Sequence, residues 1–537
     1  MGVRSLLLVS VVLVGAASTA VAADSERRVT FHPSGRCVAC HNGMPRPSGG
    51  TLDIGDDWRV SLMANSARDP YWQASVRREV LDHPESRSQI EDECAACHMP
   101  LARQEAKLRG RRGEVFANLE GVAQTVLQQQ ARDGVSCSLC HQIAAQELGD
   151  PSTFNGEFHV DSADARAVRR EFGPYDVEPS IKRVMRSSTQ SFEPAQAPHV
   201  RDSALCASCH TLTTQALGNA GSVLGTLHEQ APYQEWQNSA YAQERSCQSC
   251  HMPSVNEPVA ISRVLGEPRT GAARHVFVAA NFLMQKILGR FGPELGTTAP
   301  ATEFDAAAVR TLDFLKDSAA SLRVTPLASR TGRISFAVDV INKGGHRLPT
   351  GYPARRVWLH VRITNPQGDT LFESGALRPD GSIEGDDNDA DARRFEPHYR
   401  EIHDAEQVQI YESVLGDADG LPTTGLLSGV RYLKDNRLLP HGFDKQRAPT
   451  NVAVVGDALL DPDFDDRADR ITYEIDSASS RGPFSVEVEL LYQPIGYRWA
   501  TNLGAYDAPE PRRFSDYYRA MQLQHTASLA ALHLEFP

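Results

Sequence analysis

Three things are missing from this 537-residue chain. No cysteine lies outside five short clusters, so none is left over for a separate disulfide framework. Past the amino terminus there is no run of about eighteen apolar residues, which a membrane-crossing helix needs. Positive charge is in deficit: 55 basic against 68 acidic residues leave a net of -13, which excludes nucleic acid as a natural partner. Aromatic residues make up 7% and hydrophobic residues 41%, ordinary to lean for building cores. No serine-histidine-aspartate order and no phosphate-cradling glycine loop stands out. The length exceeds what one core usually supports, so at least two domains are expected.

What the cysteines do is repeat. Cys37-Val-Ala-Cys40-His41 is followed by Cys94-Ala-Ala-Cys97-His98, Cys137-Ser-Leu-Cys140-His141, Cys206-Ala-Ser-Cys209-His210 and Cys247-Gln-Ser-Cys250-His251. In C-x-x-C-H the two thiols add across the two haem vinyl groups, and the next histidine ligates the iron. Residues three and four apart on a helical turn share a face, so both thioethers and the imidazole point at one porphyrin. Zinc and disulfides are the rival readings. Structural zinc wants thiolates in fours or with paired histidines, whereas each pair here travels alone across gaps of about forty to seventy residues. Disulfides need no histidine at a fixed offset. The cofactors expected are therefore five c-type haems, and part of the core must be porphyrin.

The first 22 residues carry Arg4, an apolar run from Leu6 to Val14 and Ala20-Val21-Ala22, the pattern of a cleaved secretory signal. An uncleaved signal-anchor is the alternative. Export places the protein in the periplasm or outside the cell, and the rest of the chain is not expected to be an integral membrane protein.

Between motifs the chain reads as loops and short helices. Phe116 to Arg132 carries a helical stripe and should deliver Cys137 through the Asp133-Gly134 break. The gap before the fourth motif, punctuated by Phe172-Gly-Pro174 and Glu178-Pro179, reads as extended chain wrapped over cofactor. Trp58-x-x-Ser61-x-Met63-Ala64 and Trp236-x-x-Ser239-x-Tyr241-Ala242 echo each other, each ahead of a motif continuing Cys-His-Met-Pro. Two copies at unequal distances read as duplicated units or as coincidence, not as a repeat array.

With DPYW (Asp69 to Trp72), ECAACHMP, LCASCHTL, EQAPYQEW (Glu229 to Trp236) and SCQSCHMP, about the first 290 residues resemble the multihaem c-type cytochromes of the superfamily that includes hydroxylamine oxidoreductase and pentahaem nitrite reductase. The resemblance implies closely stacked haems in a mainly helical, loop-rich domain. Pentahaem nitrite reductase has lysine in place of histidine in its catalytic motif. None of the five motifs here does, which counts against nitrite reduction.

A second axial ligand separates a wire from a catalyst, because an iron occupied on both faces only passes electrons. Of eighteen histidines, thirteen lie outside the motifs. His83, His159, His199 and His275 are the preferred distal ligands, each in a segment able to fold over a neighbouring haem; surface or core histidines are the alternative. Met63 stands where the echo has Tyr241, and related cytochromes often have histidine there. As a ligand it would raise its haem's potential; as a packing residue it would fill space. His32, five residues before Cys37, could serve its own chain or a neighbour's haem.

Asn281 to Phe291 reads as a buried helix closing the haem domain, residues 23–300. Gly292-Pro293 and Thr297 to Pro300 read as linker, followed by a linker helix over 301–320 that starts near Thr302. From 321 to 537 the pattern changes to alternating strands: Ile334 to Ile341, Val357 to Ile363, Thr370 to Glu373, Ile471 to Ile475 and Phe484 to Tyr492. That predicts an antiparallel β-sandwich-like domain, closed by a helix over Phe514 to Leu534. The fold class is thus multidomain α+β. The loop Gly344-Gly-His346-Arg-Leu-Pro349-Thr-Gly351 resembles one in the C-terminal domain of such pentahaem proteins; its histidine either reaches a haem or braces the loop. Asp386 to Asp391 invites calcium but lacks the EF-hand glycine and glutamate, so a solvated loop is the stronger reading.

These readings converge on an electron-transfer protein relaying single electrons to redox partners, either other cytochromes or a quinol-oxidising membrane complex. Two other classes remain open: an oxidoreductase acting on a small nitrogen or sulfur compound at one open-faced haem, and a polymerising structural cytochrome.

Overall fold

A computed structural model describes residues 30–160, 168–189, 192–327, 332–477 and 480–536. The signal segment, residues 1–22, lies outside the described residues. No helix among them is long and apolar enough to cross a membrane.

Each motif sits on a short helical turn. The first begins inside Gly35–Val38, the third lies on Cys137–Cys140, the fourth begins inside Ser203–Ala207 and the fifth is Cys247–His251. The second forms the last turn of the longer helix Arg87–His98. Ahead of it runs Pro70–Asp82, started where the Asp69 carboxylate accepts the Tyr71 and Trp72 N–H groups at 2.8 and 3.1 Å, with proline at the first position.

The expected helix over Phe116 to Arg132 is two helices. Phe116–Leu119 stops before Gly121, which adopts φ +59°, and Val126–Arg132 restarts behind a Thr125–Gln128 capping box. Val122, placed on the apolar stripe by its spacing, lies in the break and is exposed. The Asp133-Gly134 turn does deliver the third motif. Gly134 has φ +64°, and a Cβ there would meet the Met63 carbonyl oxygen at 2.6 Å, so only glycine fits. The gap before the fourth motif folds as two parallel strands, Arg169–Gly173 and Phe192–Gln196, joined by the helix Pro179–Thr189.

Phe282–Arg290 is the buried closing helix, capped by the Asn281 side chain. The linker expected after it is a further helical turn, Gly292–Leu295. Ala301–Ser318 begins one residue after Pro300 rather than at Thr302, and it buries Phe304, Ala307 and Leu315 against Phe282, Ile287 and Leu288.

The strand-rich half is built on two sheets. One runs Ala320–Pro326, Arg333–Asn342, Ala468–Asp476, Glu401–Ile402; the other runs Thr370–Ser374, Arg356–Thr364, Phe484–Gln493, Ala527–Phe536, with Ile410–Tyr411 also on Arg356–Thr364. All five expected strands are present. The pairings are antiparallel except that Glu401–Ile402 runs parallel to Ala468–Asp476. The expected closing helix is Pro509–Ala520 only, and the last segment is a strand along Phe484–Gln493. Its first half alternates, with Ala527 and Leu529 buried and their neighbours partly exposed, a period of two that the run of alanines and leucines disguised. One hydrophobic core is continuous from Val60, Tyr71 and Phe282 through Val340, Val357 and Tyr492.

Candidate haem-binding site

All ten cysteines are free thiols, and they line one connected cavity of about 1900 Å³ together with the five motif histidines. Ordinary small-molecule pockets reach about 1,000 Å³ at most. No four thiols converge as zinc would require, and the metal-ligating cluster found among the described residues contains no cysteine.

The thiols also connect the motifs. The Cys37 thiol lies beside Cys137, Cys97 beside Cys209 and Cys206 beside Cys247, close enough to shift one another's ionisation. Cys140 lies close enough to Cys206 and Cys209 to raise both thiols electrostatically. The attachment points thus form a branched set: first to third, third to fourth, and fourth to both second and fifth.

The imidazoles are oriented from behind. Nδ1 of His41, His98, His141 and His251 hydrogen-bonds the carbonyls of Ile261, Ser66, Phe172 and Val278 at 2.6, 3.2, 2.5 and 2.6 Å. A carbonyl can only accept, so the proton sits on Nδ1 and the Nε2 lone pair is free for a metal. Burial holds His98 and His210 down to about 4 and also lowers His41, His141 and His251, keeping each ring neutral as a ligand must be.

Two further imidazoles face motif histidines. His275 lies 6.4 Å from His141 between ring centroids at 27°, and His346 lies 6.2 Å from His251 at 13°. An imidazole nitrogen sits about 2.0–2.1 Å from a first-row metal and about 1.1 Å from its own centroid, so a trans pair spans about 6.2–6.4 Å. In both, Nδ1 again donates to a carbonyl, of Ala273 at 3.1 Å and of Arg347 at 2.9 Å.

The other expected ligands are placed differently. Met63 lines the cavity, its carbonyl accepting the Val135 N–H two residues before Cys137. His83, His159 and His199 do not line it. His159 is half-exposed and pairs with Glu147, and His199 uses Nε2 on the Ile143 carbonyl at 2.8 Å. His83 and His32 are buried with Nε2 unpartnered, and His32 is held against the third motif through Ser138.

Both ends of the His346 loop are tied down. Glu235, fully buried, accepts the Arg347 N–H at 3.1 Å and the Thr350 hydroxyl, and pairs with Arg437 at 3.0 Å. Asp435 then receives Arg347 at 2.5 Å and Arg437 at 2.8 Å. The network joins the helix Pro232–Gln237 to the sheet half.

Around the second motif the wall is polar. One face of Pro70–Asp82 presents Trp72, Ser75, Val76 and Glu79 to the cavity, and Trp72 stacks on His98 at 4.4 Å. Tyr71 packs edge-on against Tyr352, just past the His346 loop, with ring centroids 5.8 Å apart. Glu229 lines the same wall, 4% exposed, and among the described residues nothing hydrogen-bonds or ion-pairs with its carboxyl. Burial pushes it up to about 8, with Glu79 adding to the shift.

The acidic stretch near Asp386 is an arginine clamp rather than a solvated loop. Arg356 is buried and bonds Asp386 at 2.7 Å and Asp389 at 2.8 and 2.9 Å. His398, Asp461 and Asp469 form a second buried cluster. There His398 Nδ1 accepts from Gln409 and Asn436 at 3.0 and 3.1 Å, so Nε2 carries the proton and donates it to Asp461. That tautomer offers no lone pair to a cation.

Neither a family model nor a curated protein matches the chain. A solved structure does: a penta-heme cytochrome c552 from Thermochromatium tepidum, at TM-score 0.52 and 16% identity over 95% of this chain and 100% of that one. The fold is that of a pentahaem cytochrome c. The residues described above fit haems attached through C-x-x-C-H.

Proposed function

We propose that the protein is an exported electron-transfer protein that passes single electrons among five covalently attached c-type haems, between redox partners such as other cytochromes or a quinol-oxidising membrane complex. The observation that carries this is the single cavity in which ten free thiols and five motif imidazoles meet, four of them anchored from behind, with His275 and His346 facing His141 and His251 at 6.4 and 6.2 Å. Haem supplies a one-electron iron couple when bound.

The chain's own residues set the rest. Cys37, Cys40, Cys94, Cys97, Cys137, Cys140, Cys206, Cys209, Cys247 and Cys250 tether the groups, and His41, His98, His141, His210 and His251 give each a proximal ligand. His275 and His346 would offer a second imidazole to the third and fifth, and Met63 would offer a thioether from the wall beside the third motif. The thiol contacts put the fourth attachment point beside the second, third and fifth, so a haem held there would have three neighbours. His32 is buried in its own chain, which speaks against lending it to a neighbouring subunit and so against the polymerising reading.

Intact-mass analysis of exported protein tests the proposal. Five added haem masses and two or more low-spin haems are expected. Fewer than five, or zinc in a metal assay, would refute it.

A further inference from the structure

The five tryptophans of the chain are placed unevenly. Trp58, Trp72 and Trp358 are 8%, 8% and 0% exposed, whereas Trp236 and Trp499 are partly exposed. Trp236 lines the haem cavity itself. Trp499 stands apart from it, on the helix Tyr497–Leu503 of the sheet half, in a small recess with Pro422, Thr424 and Asn502.

A series of rings joins Trp499 to the cavity. It meets Tyr352 edge-on at 5.5 Å between centroids, Tyr352 meets Tyr71 edge-on at 5.8 Å, and both tyrosines line the cavity wall. Each step falls within the range of about 4.5–7 Å that marks aromatic contact. The other ring neighbours of Tyr71 lead inward: Phe514 at 5.0 Å, then Tyr518 at 5.7 Å and His525 at 4.0 Å, the last two 8% and 2% exposed. That branch stays buried and begins with a ring that resists oxidation. The branch through Tyr352 ends on a partly exposed indole, among the most easily oxidised of side chains. An oxidised indole is a far stronger oxidant than a ferric c-type haem, so an electron on a reduced haem runs downhill to it. Tyr71 and Tyr352 place π-systems along the way, starting from the wall against which a haem would pack.

We infer that the sheet half carries an electron outlet at Trp499, where the reduced haems repair the indole after a strong one-electron oxidant has attacked it, through the rings of Tyr352 and Tyr71. The oxidant takes one electron from the indole, which loses its Nε1 proton to water. One electron then leaves a ferrous haem, which becomes ferric, and the indole radical takes up that electron with a proton from water. The tyrosines are a bridge and end unchanged. This outlet rests on haem attachment in the cavity, as proposed above, and haem count by mass tests that separately.

The probe is the azide radical, made by pulse radiolysis in a solution of full-length protein that has been reduced, freed of reductant and shown by mass to carry five haems. Trp236→Phe serves as background, which leaves Trp499 as the one partly exposed indole. The absorbance of the indole radical should decay with a rate constant that does not change with protein concentration, and the ferrous haem bands should fall in step. Adding Trp499→Phe should remove both the radical and that phase. Adding Tyr352→Leu should leave the radical but remove the concentration-independent phase, whereas Tyr352→Phe, which keeps the ring, should retain it. The same phase in Trp499→Phe or in Tyr352→Leu would overturn the inference. So would haem oxidation whose rate constant rises with protein concentration, since the electron would then be passing between molecules.

Discussion

Replacing Asp435 by asparagine tests how the sheet half holds its loop against the haem cavity. Asp435, Glu235, Arg347 and Arg437 form a closed set of two anions and two cations, with side-chain exposures of 3%, 0%, 0% and 8%. The amide would keep the shape but leave two guanidinium groups facing one carboxylate. Removing one partner from a buried pair costs about 3–5 kcal/mol, whereas the intact pair contributes little net stability. The folded-to-unfolded ratio should drop by about a hundred- to several-thousand-fold.

Guanidinium unfolding of the haem-loaded protein, read by tryptophan fluorescence, measures that loss as a fall in midpoint at constant slope. Adding Arg437→Met to Asp435→Asn removes the surplus cation, and the double variant should regain about 0.5–3 kcal/mol relative to the sum of the two single changes. Acid should act in the same sense. Burial alone would raise the Asp435 carboxyl, but Arg347 and Arg437 together hold it below the ordinary aspartate value. A carboxyl lowered on folding contributes stability that is complete above the unfolded value of about 3.9 and is lost as pH falls through the folded one. The wild type should therefore lose stability below about pH 4 in excess of the variant. A cost under about 1 kcal/mol, or strictly additive single changes, would refute the reasoning.

Three further outcomes follow from the site. His346→Ala should turn one low-spin haem high-spin, with added imidazole restoring it, while His275→Ala does the same to a different haem; electron paramagnetic resonance separates the two signals. Neither calcium nor a chelator should move the thermal midpoint, because Arg356 already occupies Asp386 and Asp389. Asp69→Asn should ease a burial cost: the carboxyl is raised to about 6 by burial, so the wild type loses stability as pH rises through that value and the amide, which still caps the helix, does not.

Attachment was legible in the sequence because it is local. Two thiols and an imidazole within five residues must share a turn, and no distant contact alters that. Which histidines face the motifs is a matter of tertiary placement. His275 and His346 were named alongside His83, His159 and His199, and nothing in the neighbouring residues separated them. The distinction lies in which ring nitrogen the backbone occupies, Nδ1 in His275 and His346 but Nε2 in His199. Glu229 and Glu235 were missed as functional residues although both lie in EQAPYQEW, a segment singled out for its resemblance alone. In the sheet half the alternating strands were plain, but Ala527–Phe536 read as helix because alanine and leucine fit either period. The acidic run near Asp386 read as loop because Arg356, its partner, lies thirty residues away.

The division at residue 320 is sharper in sequence than in the fold. Phe282 packs on Tyr492 at 6.4 Å, Arg77 grips Glu510 through two bonds of 2.9 Å, and the helix Ala301–Ser318 is covered on one side by Phe282–Arg290 and touches Ala527–Phe536 on another. The loop carrying His346 also brings Tyr352 against Tyr71, so the cysteine-free half lines the cavity at two places. A chain ending at Ala319 would uncover Phe282 where it packs on Tyr492, at about 1.5–3 kcal/mol for full exposure, and would leave Arg77 without Glu510. It should therefore fail to accumulate as a five-haem protein when exported with the haem-attachment machinery. A soluble fragment carrying five haems with all the low-spin signals of the full chain would show instead that the sheet half is an accessory.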